Sequence, residues 1–314
     1  MNKLAIVVPY YKIDYFEITL KSLSTQVDKR FTLYIGNDAS PDDPKSIIDK
    51  YFQPSEYKYY KYEQNLGSTN LELQWARILE NVSEEWFQIL GDDDYISENF
   101  VENFYLNYSN LRNQHVVKFN NVLIDDQNKI IKSLYIDYKT GVYPVMDLLI
   151  EKIGGGRNNS LSEHVFRKES YQKVGFKSYP LAWHTDDMFV LEMSRFSTFF
   201  FVAESVVYIR TFDGSISGSK KNLASKKEAS KLFLSEFSRL LITHQYFWST
   251  KKNFLFRLRN YTQELGLPFI KQIYHQHGIA GKMYWVNYQL RLKIKKILPH
   301  FILSIFQKND NLSK

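Results

Sequence analysis

The stretch Trp86-Phe87-Gln88-Ile89-Leu90-Gly91-Asp92-Asp93-Asp94 decides how the first half of this chain is interpreted. An apolar run is followed by a glycine and three adjacent carboxylates, which repel one another at the end of a buried strand. A divalent cation such as Mg²⁺ or Mn²⁺ would relieve this repulsion, because hard cations prefer carboxylate and phosphate oxygens. Such a cation usually completes its coordination shell with the phosphates of a substrate. The stretch therefore predicts a site for a phosphorylated ligand and its metal, or else a solvated acidic turn before a helix that starts near Ser97.

On the N-terminal side of this stretch, strands alternate with helices, which favours a mostly parallel sheet with helices on both faces. The predicted strands are Leu4–Val8, Phe31–Ile35, Tyr57–Tyr62 and Trp86–Leu90. Ligands of such sheets bind outside the carboxyl ends of the strands. Polar residues follow all four strands, namely Tyr10 and Tyr11, Asn37 and Asp38, Asn65 and Gly67, and Asp92–Asp94. Four converging loops favour a ligand site over a solvated acidic turn.

After residue 110 the pattern changes. Val116–Asn121 and Lys129–Tyr135 flank the turn-forming residues 125–128, which predicts an antiparallel hairpin. A helix over Pro144–Ile153 ends at three glycines, and no Lys-Ser/Thr pair follows them, so they do not form a P-loop. Further on, Thr185 or Asp186 is predicted to cap a helix that carries Phe189, Val190 and Met193.

Composition places this chain of 314 residues among folded globular proteins, with 44% hydrophobic residues. It has no cysteine, which excludes disulfides, thiolate zinc sites and a cysteine nucleophile. The first apolar segment ends at Pro9, too early for the apolar core of a signal peptide, so a cytoplasmic location is expected. No stretch reaches the ~18 apolar residues that a membrane-spanning helix needs.

Charge divides the chain into two regions. Residues 1–218 hold 23 Lys and Arg against 30 Asp and Glu, whereas residues 219–314 hold 18 against 4. The second region looks helical from Leu223 onward and carries an apolar stripe at helical spacing: Met283, Val286, Leu290, Ile294, Ile297 and Phe301. Basic residues lie beside this stripe, and Pro299 is expected to kink the helix. The pattern is typical of a helix lying on an anionic membrane surface. Packing against the first region and contact with a second subunit, as in a homo-oligomer, stay open.

Taken in order, the motifs of the first region resemble those of the glycosyltransferase family 2 proteins, which are inverting enzymes of the GT-A fold that use nucleotide-sugar donors. The resemblance rests on Ile6–Tyr11, Gly36–Ser40, Asn65–Gly67, Gly91–Asp94 and His184–Asp187. It implies a GT-A catalytic domain over residues 1–215, with a nucleotide-binding half at 1–110 and an acceptor-binding half at 111–215. A basic helical region at 220–314 follows.

The resemblance also implies roles for single residues in donor and metal binding. The nucleotide-binding positions are Pro9, Tyr11, Asp38, Asn65, Gly67 and Asp92. Among them, Asp38 corresponds to the carboxylate that bonds the pyrimidine ring, and Asp92 lies nearer the ribose. Asp93 and Asp94 are the implied ligands of Mn²⁺ or Mg²⁺, with a supporting role as the alternative for Asp94. Gly91 departs from the commoner family motif, which has an aspartate there.

The catalytic base corresponds to Asp186 or Asp187, with Asp186 favoured. Arg157, Trp183 and His184 are candidate contacts of the acceptor. A basic residue that the family usually carries later on this helix is missing, since Glu192 and Met193 stand near its place.

Together these features predict metal-dependent transfer of a hexosyl or N-acetylhexosaminyl group from a UDP-linked donor, with inversion. The expected acceptor is a hydroxyl of a surface polysaccharide or a lipid-linked glycan at the inner face of the cell membrane. A rival enzyme, a sugar nucleotidylyltransferase, would need a glycine-rich phosphate loop after the first strand, and Pro9–Lys12 offers none. A basic nucleic-acid-binding protein would leave the acidic loops unexplained, and no nucleic-acid partner is expected.

Overall fold

The computed structural model describes residues 2–133, 138–219 and 221–297. The chain divides into two compact units, Met1–Phe233 and Leu234–Lys314. This boundary falls within a helix, whereas the sequence-based division into 1–215 and 220–314 follows charge and resemblance. The assignment of those two regions to catalysis and to a basic extension stays a prediction.

The first unit is built on one sheet. Its strands are β1 (Leu4–Tyr10), β2 (Phe31–Asn37), β3 (Tyr57–Lys61), β4 (Trp86–Ile89), β5 (Tyr95–Ile96), β6 (Val116–Ile124), β7 (Ile130–Ser133), β8 (Gly141–Pro144), β9 (His164–Arg167) and β10 (Thr198–Arg210). They lie in the order β3-β2-β1-β4-β9-β6-β10-β5, while β7 pairs with β6 and β8 with β10.

The half of the sheet formed by β3, β2, β1 and β4 is parallel. In the pairing register Tyr10 lies beside Asn37, and Asn37 lies beside Lys61. Three neighbouring strands therefore end at the same level, and β4 ends beside Val7 of β1. β1 and β4 are continuous apolar runs because helices cover both faces of a parallel sheet. This is the arrangement that the alternating pattern predicts.

The other half contains antiparallel pairs. β9 lies between β4 and β6 and runs antiparallel to both, and β6 forms the predicted hairpin with β7. Lys118 of β6 and Glu163, which directly precedes β9, form a fully buried ion pair in this half of the sheet, with Nζ and Oε1 2.7 Å apart. β10 runs parallel to β6, with a register shift between Val202 and Val206. The sequence pattern did not predict β9 or β10.

Among the described residues before residue 220, seven α-helices accompany this sheet: α1 (Phe16–Ser24), α2 (Lys45–Tyr51), α3 (Leu71–Leu79), α4 (Phe100–Leu106), α5 (Val145–Ile153), α6 (Lys168–Val174) and α7 (Thr185–Met193). The prediction that Thr185 or Asp186 caps α7 is wrong. His184 is the N-cap residue, with a left-handed φ of 70°, and it makes no side-chain cap hydrogen bond. The Thr185 hydroxyl instead donates to the Lys177 carbonyl, which draws it away from the helix end.

α8 (Leu223–Thr243) runs from the first unit into the second. The second unit continues with α9 (Trp248–Arg257), α10 (Thr262–Leu265), α11 (Leu267–Gln276) and α12 (Gly278–Ile297). As expected, no strand follows Arg210 in the part of the chain that the structure describes. Within that part, no helix is both long and apolar enough to cross a membrane. The predicted kink at Pro299 and the apolar residue Phe301 lie outside the described residues.

Candidate active site

A cavity of about 680 Å³ opens at the carboxyl ends of β1, β2, β3 and β4. Eleven of the thirteen predicted site residues line it: Pro9, Tyr11, Asp38, Asn65, Gly67, Asp92, Asp93, Asp94, Trp183, His184 and Asp186. Arg157 and Asp187 are not among the lining residues. The four loops that follow the parallel strands therefore converge as predicted, and the start of α7 joins them.

Asp92 fixes the loop after β1. Its Oδ2 accepts hydrogen bonds from the backbone N–H groups of Tyr11 and Lys12, at 2.7 and 2.8 Å. The Lys12 ammonium in turn donates to the Gly214 carbonyl, which ties this loop to the segment after β10. Burial, and then the neighbouring Asp93, raise the pKa of Asp92 to about 7. Asp92 therefore shapes the cavity wall, while its contact with a ribose stays a prediction.

Asp94 is held by two donors. Its Oδ1 accepts from the backbone N–H of Arg210 at 2.8 Å, and its Oδ2 accepts from the Ser162 hydroxyl at 2.6 Å. Arg210 is almost fully buried, and its Nε donates to the Asp93 carbonyl at 3.0 Å. Burial, then repulsion from Asp93, raises the pKa of Asp94 well above its ordinary value. Both contacts give Asp94 a supporting role, and ligation of a metal by Asp94 stays a prediction.

Arg210 also supplies a counter-charge at the acidic strand end, where the sequence analysis considered only a divalent cation as the means of relieving the repulsion. The guanidinium lies over the Tyr15 ring at 4.0 Å and donates to Asn128 and to the Asp125 carbonyl. Burial raises the pKa of Asp93, whereas the positive charge of Arg210 lowers it and so opposes the repulsion among the three aspartates. A bound cation is not the sole means of relieving their repulsion.

Asp93 differs from its two neighbours. Within the described residues its carboxylate accepts no hydrogen bond from another residue, yet it lines the cavity and is half-buried. Burial raises its pKa, because the charged form loses hydration. Asp93 is therefore the carboxylate of this cluster that is available to a ligand.

Asp38 organises the loop after β3. It accepts hydrogen bonds from the N–H groups of Leu66 and Gly67 at 2.8 and 2.7 Å, and it forms an ion pair with Arg77 of α3. A Cβ atom on Gly67 would lie only 2.6 Å from Asp38 Oδ2, so only glycine permits this close approach. Its predicted bond to a pyrimidine ring remains untested.

Asp186 and Asp187 have opposite environments. Asp187 is fully buried and contacts Lys152 Nζ at 2.8 Å, His184 Nδ1 at 2.7 Å and Asn159 Nδ2 at 2.9 Å. Burial alone would raise the pKa of Asp187, but Lys152 and His184 outweigh it and hold the pKa well below its ordinary value. Asp186 is half-buried and lines the cavity. Burial and the adjacent Asp187 charge raise the pKa of Asp186 to about 7.

The three predicted acceptor contacts occupy different places. Trp183 lines the cavity, with the Lys226 ammonium 4.6 Å above its ring. The ring of His184 bonds Asp187 through Nδ1 and Ser230 through Nε2, so both of its nitrogens already have partners. Arg157 forms an ion pair with Glu151 and lies over the Tyr138 ring, apart from the cavity lining.

Sequence reasoning missed several side chains that build the site: Lys12, Lys152, Asn159, Ser162 and Arg210. Each acts through a partner more than 25 residues away along the chain. Ser215, Ile216 and Ser217, in the segment that follows β10, also line the cavity and were not among the predicted site residues.

Comparison with known proteins agrees with this geometry. A family model described as "Glycosyl transferase family 2" matches residues 5–171, which is more than half of the chain. The chain belongs to glycosyltransferase family 2. The match spans the four converging loops and ends before α7.

Two further likenesses concern individual proteins. Glycosyltransferase GlyA of Streptococcus pneumoniae serotype 4 is 28% identical over 107 residues, which are 33% of this chain and 15% of that protein. The chain therefore corresponds to a small part of that relative. S. aureus TarS in complex with UDP-GlcNAc is similar in structure, with a TM-score of 0.61 and 14% identity over 87% of this chain and 83% of that chain. TarS in complex with UDP gives a TM-score of 0.57 and 13% identity over 92% of this chain and 91% of that chain.

The low identity to TarS shows the fold alone, and that fold confirms the predicted class. This family 2 chain has a GT-A-like mixed α/β sheet with helices on both faces and a helical C-terminal region.

Proposed function

We propose that this protein transfers a sugar from a UDP-linked donor to a hydroxyl group, with inversion at the anomeric carbon. One observation carries the proposal: Asp186 lines the same cavity as the loops that hold Asp38 and Asp92–Asp94. A donor bound by these loops and an acceptor hydroxyl beside Asp186 would therefore lie in the same cavity. Family membership favours glycosyl transfer over the rival nucleotidylyltransferase and nucleic-acid-binding interpretations.

The donor end of the cavity suits a nucleoside diphosphate. The parallel strand ends are where open α/β sheets bind nucleotides, and the cavity has room for a molecule of that size. TarS, which shares the fold, is described in complexes with UDP-GlcNAc and with UDP. We therefore assign the uridine to the loops after β1, β2 and β3, near Tyr11, Asp38 and Gly67.

The residues present fit a divalent cation that is shared with the donor. Among the described residues, no group of three or more His, Asp or Glu side chains could hold a metal ion by itself. Asp93 nevertheless offers one carboxylate that accepts no hydrogen bond from another of these residues, and Mg²⁺ is often held by one or two carboxylates and the phosphates of a substrate. A cation bound there would neutralise charge on the departing diphosphate as a Lewis acid. We propose Mn²⁺ or Mg²⁺ at Asp93.

The base end of the cavity has a carboxylate suited to take a proton near neutral pH. A general base works best when its pKa lies near the working pH, and the pKa of Asp186 is raised to about 7. The buried Asp187 charge contributes to this shift, and Lys152 and His184 keep Asp187 ionised. Asp186 would remove the proton from the attacking hydroxyl, while Asp187 acts as a positioning residue.

One base is sufficient for inversion. The hydroxyl oxygen attacks the anomeric carbon, its proton passes to Asp186, and the bond to the nucleoside diphosphate breaks with its electron pair on the phosphate oxygen. No covalent intermediate is needed. A hexose or N-acetylhexosamine remains the expected sugar. A surface polysaccharide or lipid-linked glycan remains the expected acceptor.

Activity should depend on pH through Asp186. The base must be ionised to accept a proton, so kcat/KM should fall about tenfold per pH unit below about 7 and level off above it. Since the pKa of Asp92 is also raised to about 7, donor affinity must be measured over the same pH range as a control. A kcat/KM that stays constant from pH 5 to 7 would refute the role of Asp186.

Donor binding tests the proposal without knowledge of the acceptor. UDP with Mn²⁺ at about 100 times its Kd should stabilise the folded protein by about 2.7 kcal/mol, since the unfolded chain has no site. A rise of several degrees in Tm is expected, whereas ADP with Mn²⁺ should give a much smaller rise. Equal shifts with both nucleotides, or none with UDP, would contradict the proposed donor.

A further inference from the structure

α12 in the second unit has two apolar faces. One of them packs inside the unit, where the Tyr274 ring of α11 lies 5.6 Å from Trp285 and 6.3 Å from Tyr288. Tyr288 is buried, and Gly281 on the same side lies so close to α11 that a Cβ atom there would be 2.0 Å from the Tyr274 carbonyl oxygen. This inner face accounts for Trp285 and Tyr288, which lie off the stripe seen in the sequence.

The second apolar face is exposed. Its members and their exposed fractions are Ile279 (79%), Met283 (67%), Val286 (56%), Leu290 (54%) and Ile294 (41%). At about 100° per residue these five side chains fall within an arc of about 80°, and the arc is centred opposite the inner face. We call this set the outer stripe. A continuous apolar strip on the surface of a protein marks an interaction site more often than scattered exposed apolar residues do.

Charge indicates what the outer stripe contacts. α12 contains five basic residues and no acidic residue: Lys282, Arg291, Lys293, Lys295 and Lys296. Lys282 and Lys293 border the outer stripe by helical position and are exposed. Across residues 234–297 there are 11 Lys and Arg against 2 Glu and no Asp. An apolar strip edged by cations on a strongly basic unit is complementary to a negatively charged, partly apolar surface.

We propose that the outer stripe of α12 docks on an anionic lipid surface, with the five apolar side chains between the lipid headgroups and the bordering lysines on the lipid phosphates. A helix of this kind lies in the plane of the interface, and each basic residue near the surface adds attraction. A second copy of the chain fits less well, because pairing two outer stripes would bring two strongly basic helices together. The inference goes beyond the proposed chemistry and does not depend on it.

The test is co-sedimentation of the full chain with lipid vesicles. Vesicles that contain phosphatidylglycerol in phosphatidylcholine should bind the protein at least about tenfold more strongly than phosphatidylcholine alone, and added salt should weaken this binding. The variant M283S/V286S/L290S should lose about tenfold or more of this binding. A matched control, V27S/L106S/I130S, changes three aliphatic residues of the first unit that are 62%, 69% and 62% exposed, and it should bind like the parent chain.

Two further measurements make the outcome decisive. Thermal melting should show that the stripe variant is folded, because its three substitutions are at exposed positions. Light scattering without lipid reports the number of subunits. Failure of the parent chain to bind anionic vesicles would overturn the proposal, as would undiminished binding by the stripe variant. If the parent chain is a dimer that the stripe variant converts to a monomer with unchanged vesicle binding, the outer stripe is instead a contact between copies.

Discussion

Replacing Asp186 by asparagine is expected to lower kcat for sugar transfer by about 10²–10⁴-fold, the usual contribution of a general base. Asparagine has nearly the same shape but cannot take the proton of the attacking hydroxyl. The Oδ1 atom that accepts the Asp187 N–H at 2.9 Å is retained, so the start of α7 should keep its structure. The measurement is turnover of a UDP-sugar with acceptor, together with the Kd of UDP, which should stay within about threefold of the parent value.

The chain offers a matched control on the same helix. Glu192 lies on α7, contacts Lys177 and does not line the cavity, so E192Q also changes a carboxylate to an amide but should leave kcat nearly unchanged. Loss of activity in both variants would point to damage of α7 instead of loss of a base. Near-normal turnover by D186N would remove Asp186 from the mechanism.

Replacing Asp93 by asparagine is expected to abolish the effect of divalent cations. A cation on the leaving diphosphate supplies several kcal/mol of charge stabilisation, which corresponds to a loss of at least about 100-fold in kcat/KM. The thermal stability of the protein without ligand should not fall, because the Asp93 carboxylate accepts no hydrogen bond from another described residue and its charge repels Asp92 and Asp94. The decisive measurement is the Kd of UDP with and without Mn²⁺: Mn²⁺ should strengthen UDP binding to the parent protein and not to D93N.

Asp94 provides the contrast. Its two oxygens accept from Arg210 and Ser162, so D94N should lower the Tm of the ligand-free protein, which D93N should not. If D93N keeps the effect of Mn²⁺ on UDP binding, Asp93 is not the cation ligand. If D94N alone removes that effect without a change in Tm, the assignment of the two residues must be exchanged.

The donor half of the site was predictable because the carboxyl ends of parallel strands lie at the same edge of the sheet, so the loops that follow them are close in space. Each of β1, β2, β3 and β4 ends in a polar loop, and parallel strands in register place these ends side by side. Asp38, Asn65 and Asp93 could therefore be placed in one cavity from the sequence pattern alone. Their individual chemical roles are a separate question, which the experiments above address.

The choice between Asp186 and Asp187 could not be settled in this way. Adjacent residues on a helix point about 100° apart, and which of them faces the cavity depends on how the chain enters the helix. Here His184 enters α7 in a left-handed conformation, and its ring holds Asp187 inside the unit. The residues around His184 predict neither its left-handed backbone conformation nor its hydrogen bond to Asp187.

Long-range partners were missed for a similar reason. Arg210 reaches the acidic strand end because β10 pairs with β5, which directly follows Asp94, with Tyr208 beside Tyr95. Pairing over such a separation is not visible in local periodicity. Arg157 is the reverse case. It was predicted as a contact of the acceptor, but it does not line the cavity, and the nearby Glu151 and Tyr138 contact its side chain. Its contact with an acceptor stays a prediction.

The anomalous difference map of crystals grown with UDP and Mn²⁺ tests most directly whether this cavity binds the donor. We expect one strong manganese peak within bonding distance of an Asp93 carboxylate oxygen, diphosphate density against that peak, and the uracil ring beside Asp38. A nucleotide bound outside the cavity, or manganese bound to the diphosphate with Asp93 out of reach, would contradict the proposed site.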